Sequence, residues 1–262
     1  MSEITSNFLI QNLHAQTAQM RQKKPLIHHI TNFVTIYPCA RITSFIGATP
    51  IMAFSADESA DITAGSDALV INTGTLNDEF RASIPKSTAY ANQHQIPVVL
   101  DPVGAKVSSY RSDFIRSLLQ NFHFTVIRCN ASELLSLDGF ASTSRGIDST
   151  CTSADIPAIA KDVAKRYRCV VACTGATDII QDCSRTLFLN RGTPKLSKLV
   201  GTGCMVNSLI ASYLTVTSDP LQAAAYGILA MCLSGEQAEK RLQHESDLGS
   251  FESYLMDAIS AL

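Results

Sequence analysis

The feature that most constrains the fold is a series of six short apolar runs rich in Val and Ile. Because most of these runs are apolar throughout, they are typical of strands buried on both faces, as in a parallel sheet. Segments of helical length and mixed polarity separate several of them. The runs are residues 26–30, 49–54, 68–71, 97–100, 125–127 and 169–172, and the intervening segments are 78–95, 110–122 and 156–168. The alternation predicts a layered α/β fold, with a mostly parallel central sheet flanked by helices.

The last third of the chain departs from this alternation. Residues 179–182 and 186–190 are separated by a short turn sequence and predict a β-hairpin. Two helices are predicted at 205–216 and 220–242, and both are apolar around much of their circumference. We therefore expect them to be buried in the core or at an interface. Residues 139–153 are rich in Ser, Thr and Gly and are typical of a surface loop.

Composition limits the domain organisation, the partners and the compartment. No Pro-, Gly- and Ser-rich linker divides the chain, so we predict one domain over residues 1–262. Only 17% of residues are charged and 46% are apolar, which indicates a large core or buried subunit interfaces. The net charge of −2 argues against a nucleic-acid or membrane-surface partner. The sequence contains no run of about 20 apolar residues, which argues against a membrane-spanning helix. The eight cysteines form no C-x-x-C pair, and no signal peptide is evident, so we expect a cytoplasmic location.

Polar residues and glycines stand where five of the predicted strands end. In open α/β sheets, ligands bind outside the carboxyl ends of the strands, so these residues predict a site assembled from several loops. Ordinary turns also favour Gly, Asn and Asp, and this alternative stays open. The five strand ends are His29-Ile30-Thr31-Asn32, Asn72-Thr73-Gly74, Asp101-Pro102-Val103-Gly104, Arg128-Cys129-Asn130 and Cys173-Thr174-Gly175.

The motif Gly201-Thr202-Gly203-Cys204 leads into the first of the two apolar helices. Glycines allow a ligand to approach the backbone closely, and the unpaired N–H groups of a first helical turn attract anions such as a transferring phosphoryl group. An ordinary turn before a helix explains the same pattern. Cys204 is expected at the helix N-terminus, where the dipole lowers a thiol pKa below about 8.5 and makes it a nucleophile or a weak base. The alternative is a buried structural cysteine.

Two common nucleotide-binding motifs are absent from the sequence. No G-x-x-x-x-G-K-[ST] segment occurs, which argues against a Walker-type NTPase. No G-x-G-x-x-G follows the first predicted strand, which argues against a dinucleotide-binding fold.

Four further residues each have a chemical and a structural interpretation. Asn130 and Glu133, three residues apart after a strand, can hold Mg²⁺ through its waters, or they can form a capping box, which the spacing alone favours. Arg128 is costly to bury unpaired, so it contacts either a nucleotide phosphate or a structural carboxylate. Asp101 can help to hold Mg²⁺ or orient an acceptor hydroxyl, or it can initiate the turn before Pro102.

Taken together, these segments resemble the hydroxyethylthiazole kinases of thiamine salvage, which belong to the ribokinase-like superfamily. The resemblance runs from residue 25 to residue 242 and depends on the order and spacing of the motifs. Besides the strand ends and the glycine motif, the matching segments are Pro25-Leu26-Ile27-His28-His29-Ile30-Thr31-Asn32, Pro50-Ile51-Met52-Ala53 and Ile127-Arg128-Cys129-Asn130-Ala131-Ser132-Glu133.

The resemblance implies a ribokinase-like fold and a reaction. The reaction is ATP-dependent phosphorylation of the primary alcohol of 4-methyl-5-(2-hydroxyethyl)thiazole, with Mg²⁺ as cofactor. It also implies a homotrimer with acceptor sites between subunits, which agrees with the low charged fraction. Among the residues it implies, Met52 and the backbone of Gly201 contact the thiazole, Asn32 lies in a segment that lines the acceptor pocket, and Arg128 and Thr174 contact ATP.

The glycine motif and its surroundings complete the expected site. The amides of Gly201, Thr202, Gly203 and Cys204 are expected to stabilise the transferring phosphoryl group, while Cys204 positions or deprotonates the hydroxyl. Asn130 and Glu133 match the superfamily's N-x-x-E magnesium motif. Two departures stand out. Many sugar and vitamin kinases of the superfamily have Asp where this chain has Cys204, although cysteine is familiar in thiazole kinases. Cys129 stands beside Arg128 where Gly is expected.

Three other functions stay open at this point. They are a kinase for another vitamin precursor such as hydroxymethylpyrimidine, an ATP-dependent dehydratase for hydrated nicotinamide nucleotides, and a thiazole-binding protein without catalysis. Met52 and residues 28–32 favour the thiazole as substrate. The presence of Arg128, Asn130 and Glu133 argues against a non-catalytic protein.

Overall fold

A single eight-stranded sheet organises the computed structural model, which describes residues 6–140 and 155–262. The strands are β1 Leu26–Ile30, β2 Thr49–Met52, β3 Ala68–Asn72, β4 Val98–Asp101, β5 Val126–Asn130, β6 Val170–Thr174, β7 Asp178–Gln181 and β8 Thr186–Leu189. Their order is β2-β1-β3-β4-β5-β6-β7-β8. The strands β1 to β6 pair in parallel, whereas β7 and β8 pair antiparallel. The predicted mostly parallel sheet is confirmed, and so is the hairpin. The loop predicted at 139–153 lies almost wholly outside the described residues.

The central strands are apolar throughout because both of their faces are covered. All five residues of β3 are buried. Since side chains alternate across a strand, Ala68 and Val70 point into one apolar layer while Leu69 and Ile71 point into the other. This two-sided burial explains why the sequence shows continuous apolar runs rather than alternation.

Helices cover both faces of the sheet. They are α1 Ser6–Lys23, α2 Ile36–Ile46, α3 Ser59–Ala64, α4 Asp78–Gln93, α5 Ser109–Asn121, α6 Ala131–Gly139, α7 Ile156–Tyr167, α8 Thr202–Leu214, α9 Pro220–Lys240 and α10 Leu248–Ser260, with a 3-10 helix at Pro194–Lys198. One layer contains α1, α2, α8, α9 and α10, and the other contains α4 to α7. The predicted helix pair is buried at the centre of the first layer, as α8 and α9. No helix among the described residues has both the length and the apolarity that a bilayer crossing requires.

The helix α8 begins earlier than the sequence analysis predicts. Gly201 adopts φ +92°, a left-handed conformation that favours glycine, and it is the N-cap of the helix. The amide of Met205 donates to the Gly201 carbonyl at 2.8 Å and closes the first turn. Thr202, Gly203 and Cys204 therefore form the first turn of α8, and only Gly201 precedes it. The predicted start of this helix at residue 205 is therefore three residues too late, whereas the predicted position of Cys204 at the helix N-terminus is confirmed.

The carboxyl ends of the parallel strands meet at one edge of the sheet. The strand β3 ends at Asn72 and β4 at Asp101, which are register partners. Likewise, β5 ends at Asn130 and β6 at Thr174, which are partners as well. Most of the polar residues that the sequence analysis places after the strands are therefore the last residues of those strands. The register between neighbouring strands holds these residues next to one another. The first turn of α8 lies against this edge.

Candidate active site

Three asparagines surround the sulfur of Cys204 and the carboxylate of Asp101. Asn72 donates from Nδ2 to Asp101 Oδ2 at 2.6 Å and to Cys204 Sγ at 3.3 Å. Asn32, which follows β1, donates to Asn72 Oδ1 at 2.9 Å and to Cys204 Sγ at 3.4 Å. Asn207, on α8, donates to Asp101 Oδ2 at 2.6 Å. The fold thus brings the predicted site residues Asn32, Asp101 and Cys204 into one hydrogen-bonded cluster.

The Cys204 thiol has a raised pKa, so the prediction that the helix dipole lowers it is wrong. Burial is the largest cause and the neighbouring Asp101 carboxylate is the next, because both disfavour a thiolate. Hydrogen bonds from Asn32 and the charge of Arg128 act in the opposite direction but do not offset these two causes. The sulfur is therefore a neutral thiol near pH 7. Such a group can position a hydroxyl, but in its protonated form it is neither a base nor a good covalent nucleophile.

The Asp101 side chain is fully buried and directed into the site. Burial raises the pKa of its carboxyl to about 6, while the Arg128 guanidinium opposes that shift. Its Oδ1 atom has no hydrogen-bond partner among the described residues and lies 3.9 Å from Arg128 Nη1. The turn after β4 is closed by backbone atoms, with the Val103 amide donating to the Asp101 carbonyl at 2.9 Å. The carboxylate is therefore not needed to initiate that turn.

Arg128 and Thr174 line a cavity of about 610 Å³, a volume typical of small-molecule sites. Arg128 Nη2 donates to Thr174 Oγ1. The Nε of Arg128 is buried and has no hydrogen-bond partner in the described part of the chain. Arg128 pairs with the Asp101 carboxylate, as the structural interpretation predicts, and it also presents its permanent charge to the cavity, so contact with a nucleotide phosphate stays a prediction. Part of the remaining wall is apolar, formed by Val206, Ile228 and Met231.

The first turn of α8 offers free backbone donors beside this cavity. Within residues 6–140 and 155–262, no acceptor is bonded to the amide N–H groups of Thr202, Gly203 or Cys204. Gly203 packs against the Arg128 guanidinium so closely that an added Cβ would lie 2.5 Å from Nη1. Backbone donors and a guanidinium in contact form an anion-binding arrangement. The glycine at this position is thus explained by the close approach of Arg128.

Asn130 and Glu133 form the capping box of α6. Asn130 Oδ1 accepts from the Glu133 amide at 2.9 Å, and Glu133 Oε2 accepts from the Asn130 amide at 3.0 Å. Glu133 Oε1 also accepts from the Gly104 amide at 3.2 Å. The capping interpretation is confirmed, and it does not exclude a second role, since each carboxylate oxygen has a further lone pair.

The oxygens at this edge fit Mg²⁺ bound mainly through water. No group of three His, Cys, Asp or Glu side chains with metal-ligand spacing occurs among the described residues. Glu133 lies near enough to Asp101 to contribute to the raised pKa of its carboxyl, and Asp101 Oδ1 is buried without a hydrogen-bond partner. Mg²⁺ keeps several waters and needs only one or two carboxylates. Two neighbouring carboxylates and the Asn130 amide are a donor set of that kind.

The residues expected to bind the acceptor are not part of the wall of the Arg128 cavity. Asn32 is buried, and Gly201 packs against Thr35, with an added Cβ placed 2.6 Å from Thr35 Cγ2. Met52 ends the edge strand β2, and it packs with Cys204, partly buried, against the same apolar layer. Large apolar side chains close to these residues in the chain are exposed: Phe33 by 49%, Val34 by 65%, Tyr37 by 69% and Val200 by 78%.

The sequence analysis missed two of the three asparagines. Asn72 belongs to a strand end that it noted, but no role was predicted for its side chain. Asn207 lies one turn beyond Gly203 in an otherwise apolar helix, and a polar residue at such a position is the signal that could have revealed it. Cys129, the unexpected neighbour of Arg128, is buried beside its register partner Cys173 and is not part of the cavity wall.

Comparison with known proteins assigns the family. A sequence model of the hydroxyethylthiazole kinase family matches residues 17–262. The hydroxyethylthiazole kinase of Clostridium beijerinckii is 44% identical over 249 residues, which cover 93% of this chain and 90% of that protein. The solved structure of a hydroxyethylthiazole kinase protein from Pyrococcus horikoshii superposes with a TM-score of 0.85 at 30% identity, covering 96% of this chain and 94% of that one.

More distant structures share the fold alone. A pyridoxal kinase from Bacillus subtilis, solved as an ADP complex, has a TM-score of 0.59 at 17% identity, covering 84% of this chain and 94% of that one. The predicted ribokinase-like architecture is confirmed, since a solved protein of the ribokinase-like superfamily from Enterococcus faecalis also matches, with a TM-score of 0.61 at 12% identity over 91% of this chain and 89% of that one.

Proposed function

The chain belongs to the hydroxyethylthiazole kinase family, and from that premise we propose how its residues phosphorylate the hydroxyl of 4-methyl-5-(2-hydroxyethyl)thiazole. The reaction transfers the γ-phosphoryl group of ATP to the alcohol and gives the thiazole phosphate used in thiamine salvage. The observation that carries the assignment of roles is the position of the α8 first turn. Thr202 and Gly203 of this turn line the Arg128 cavity, while Cys204 of the same turn is outside the cavity wall and its sulfur accepts from Asn32.

ATP binds in the cavity lined by Arg128 and Thr174. The guanidinium neutralises phosphate charge, and the Thr174 hydroxyl holds it by accepting a hydrogen bond from Nη2. The apolar wall of Val206, Ile228 and Met231 suits a nucleobase, which buries its faces without requiring charged partners. Arg128 touches Gly203, so the phosphate chain is directed toward the first turn of α8.

Phosphoryl transfer takes place at that first turn. The free amides of Thr202, Gly203 and Cys204 donate to the equatorial oxygens, which carry the charge in the transition state. The acceptor oxygen forms a bond to phosphorus as the bond to the ADP oxygen breaks, and the hydroxyl proton is released. Because the transition state is loose, little base strength is needed: the neutral thiol at Cys204 orients the hydroxyl, and the hydroxyl proton leaves late, to an oxygen of the transferred phosphoryl group.

Asp101, Asn130 and Glu133 are the residues that would hold Mg²⁺, mainly through its waters. When bound, the ion supplies neutralisation of the charge on the β- and γ-phosphates. The protein's own contribution is to fix these side chains: Asn130 and Glu133 brace each other in the capping box, and Asp101 Oδ2 is held by two amides.

The acceptor side is completed by neighbouring copies in a homotrimer of the single domain over residues 1–262. Met52 ends an edge strand, and exposed Phe33, Val34, Tyr37 and Val200 lie beside the acceptor residues in the chain. Apolar side chains this exposed, grouped at a site, are typical of a surface covered by a partner. The compartment is the cytoplasm, where the described cysteines, all of them free, stay reduced.

One assay tests the function. The protein is incubated with ATP, Mg²⁺ and the thiazole alcohol, and the thiazole phosphate is detected together with ADP in equal amounts. Hydroxymethylpyrimidine and hydrated nicotinamide nucleotide serve as alternative substrates in parallel reactions. Turnover confined to the thiazole supports the proposal. Folded oligomeric protein that forms no thiazole phosphate, or that prefers one of the two alternatives, contradicts it.

A further inference from the structure

The side-chain amide of Asn72 connects the acceptor side of the site with the Asp101 carboxylate. Its Nδ2 donates to Asp101 Oδ2 at 2.6 Å and to Cys204 Sγ at 3.3 Å. Its Oδ1 accepts from Asn32 Nδ2 at 2.9 Å and from the Gly74 amide at 2.8 Å. On the basis of the proposed kinase function, we propose that Asn72 is a positioning residue for phosphoryl transfer, which sets the orientation of Asn32 and Cys204 relative to Asp101.

The Asp101 carboxylate determines which atom donates in each hydrogen bond that links Asp101, Asn72 and Asn32. An ionised carboxylate only accepts, so the Nδ2 of Asn72 must face it and the Oδ1 must face the other way. Asn32 must then turn its own Nδ2 toward Asn72, which leaves its Oδ1 to accept from the Thr35 amide at 3.1 Å. No other side chain of this length supplies two donors and two acceptor positions at once. The identity of Asn72 therefore fixes the orientation of Asn32.

The same arrangement constrains the thiol of Cys204. The sulfur accepts N–H groups from both Asn72 and Asn32, so its own proton must point away from those two amides. Sulfur hydrogen bonds are weak one at a time, but two donors, one at the end of β3 and one after β1, limit the rotation of the Cys204 side chain. Asn72 thus holds the one group that touches the acceptor hydroxyl in the proposed reaction.

Asn72 is absent from the wall of the nucleotide cavity. Arg128 and Thr174, which contact ATP in the proposed function, make no hydrogen bond to it among the described residues. A positioning role therefore has a specific kinetic signature: loss of Asn72 lowers kcat while the KM for ATP stays nearly unchanged. A general loss of fold would instead lower the fraction of active protein and the melting temperature together.

The test uses the full-length protein with Asn72→Ala, Asn72→Ser and Asn72→Asp. A misplacement of about 1 Å in an active site can cost roughly 100-fold, so we expect Asn72→Ala to lower kcat between about tenfold and 100-fold, with the KM for ATP within about twofold of wild type. Asn72→Ser keeps one donor and one acceptor and is expected to retain more activity than Asn72→Ala. Asn72→Asp, similar in size, removes both donors beside Asp101 and is expected to be the least active.

Two controls separate positioning from structure. Asn92 is a half-buried amide at the end of α4 that donates to the His123 carbonyl and accepts from its amide, near the start of β4 and away from the site, so Asn92→Ala is the matched variant. It is expected to keep the wild-type kcat. In a double-mutant cycle with Cys204→Ala, the loss caused by Asn72→Ala is expected to shrink, because part of it acts through the thiol.

The outcomes are distinct. Wild-type kcat in a folded Asn72→Ala protein overturns the positioning role, and so does a kcat loss that Asn92→Ala reproduces or that combines additively with Cys204→Ala. Should Asn72→Ala fail to fold, the comparison of Asn72→Ser with wild type decides in the same way. An inactive wild-type protein in the parallel thiazole reaction would instead contradict the proposed function.

Discussion

Cys204 has the raised pKa of a buried thiol even though it lies in the first turn of a helix. A helix N-terminus favours a thiolate by a modest amount, whereas burial and a neighbouring carboxylate oppose it. The competition is decided by burial, with Asp101 adding to it. Asp in place of Cys204 would put a second carboxylate near Asp101 and raise the pKa of one of the two, whereas a neutral thiol adds no charge there.

Replacement of Cys204 by Ala is expected to lower kcat by roughly tenfold to 100-fold, at or below the low end of the range for general bases, because the thiol orients the hydroxyl and the loose transition state needs little base strength. The KM for the thiazole is expected to change much less, since Met52 and Gly201 stay in place. Steady-state kinetics measure both. Cys183→Ala, at an exposed cysteine outside the site, is the matched control and should behave as wild type. Unchanged turnover in Cys204→Ala would remove the thiol from the mechanism.

Gly203 is required because Arg128 packs against its backbone. In Gly203→Ala the new methyl group would lie 2.5 Å from Nη1, so the guanidinium must move away from the phosphate position. A displacement of that size is expected to lower kcat/KM for ATP by roughly 100-fold. Gly249→Ala is the control: it also adds a methyl group in a helix, but nothing lies within 4 Å of it. Wild-type kcat/KM for ATP in Gly203→Ala would show that the contact with Arg128 is not needed.

At the residue scale, the sequence predicted which residues come together better than it predicted the burial and the charges around each side chain. Asp101, Arg128, Asn32 and Cys204 were all identified because each follows an apolar run or a glycine motif. The pKa of Cys204 was not predictable, since it depends on Asp101, which is about 100 residues away in the chain and is brought close only by the fold. The hydrogen bond from Asn207 to Asp101 was not predictable either, because it depends on how α8 packs against the sheet.

In the helix α6, the residues that cap the helix are also the residues proposed to hold Mg²⁺. Asn130 and Glu133 cap its N-terminus, and the proposed Mg²⁺ site requires the same two side chains. A cap fixes both side chains before any ligand arrives, so the site loses little further side-chain entropy when the ion binds. The N-x-x-E spacing is therefore both a capping box and a pre-organised pair of oxygen donors.

The two roles of Asn130 separate when it is compared with another N-cap. Asn77 caps α4 by accepting from the Phe80 amide, as Asn130 caps α6. Asn130→Ala and Asn77→Ala are each expected to lower the free energy of unfolding by about 1 kcal/mol, the usual cost of losing an N-cap. Only Asn130→Ala is expected to raise the Mg²⁺ concentration for half-maximal activity, by about tenfold or more. Denaturant unfolding and magnesium titrations measure the two effects, and equal magnesium dependence in both variants contradicts the metal role.

At the element scale, the strands were the most predictable part of the fold. Two-sided burial makes β3, β4 and β6 apolar up to their last residues, whereas β1 includes two buried histidines and β5 includes Arg128. The hairpin of β7 and β8 follows from its turn. The helices α1, α2, α3 and α10 were not predicted. In α1 the buried large apolar residues are only Leu9, Leu13 and Met20 in 18 residues, so its helical period is weak in the sequence. Its position depends on packing against α8 and α9, which is a tertiary effect.

The molecule as a whole has apolar surface where its acceptor residues lie. The edge strand β2 is only half-buried, and Phe33, Val34 and Tyr37 are exposed in the segment that follows Asn32. The low charged fraction allowed either a large core or buried subunit interfaces, and composition could not locate the exposed apolar surface. In the fold, this exposed apolar surface lies in the segment after Asn32 and at Val200, directly before Gly201. Assembly and acceptor binding are therefore expected to depend on one another.

Tyr37→Lys tests this dependence, because a charged side chain in a covered apolar contact costs about 2 kcal/mol or more. We expect sedimentation equilibrium to shift from three times the 28.3-kDa chain mass toward the monomer. The KM for the thiazole is expected to rise by tenfold or more, while ATP binding, at the Arg128 cavity, changes little.

Phe188→Lys is the matched control for Tyr37→Lys. Phe188 is also about half exposed, but it lies on β8 at the opposite edge of the sheet, so the trimer mass and the thiazole KM are both expected to be retained. The two measurements are read together because the proposed acceptor site spans subunits. A monomeric Tyr37→Lys protein with the wild-type thiazole KM would show that each chain holds a complete acceptor site. A wild-type trimer in Tyr37→Lys would place the interface elsewhere on the molecule.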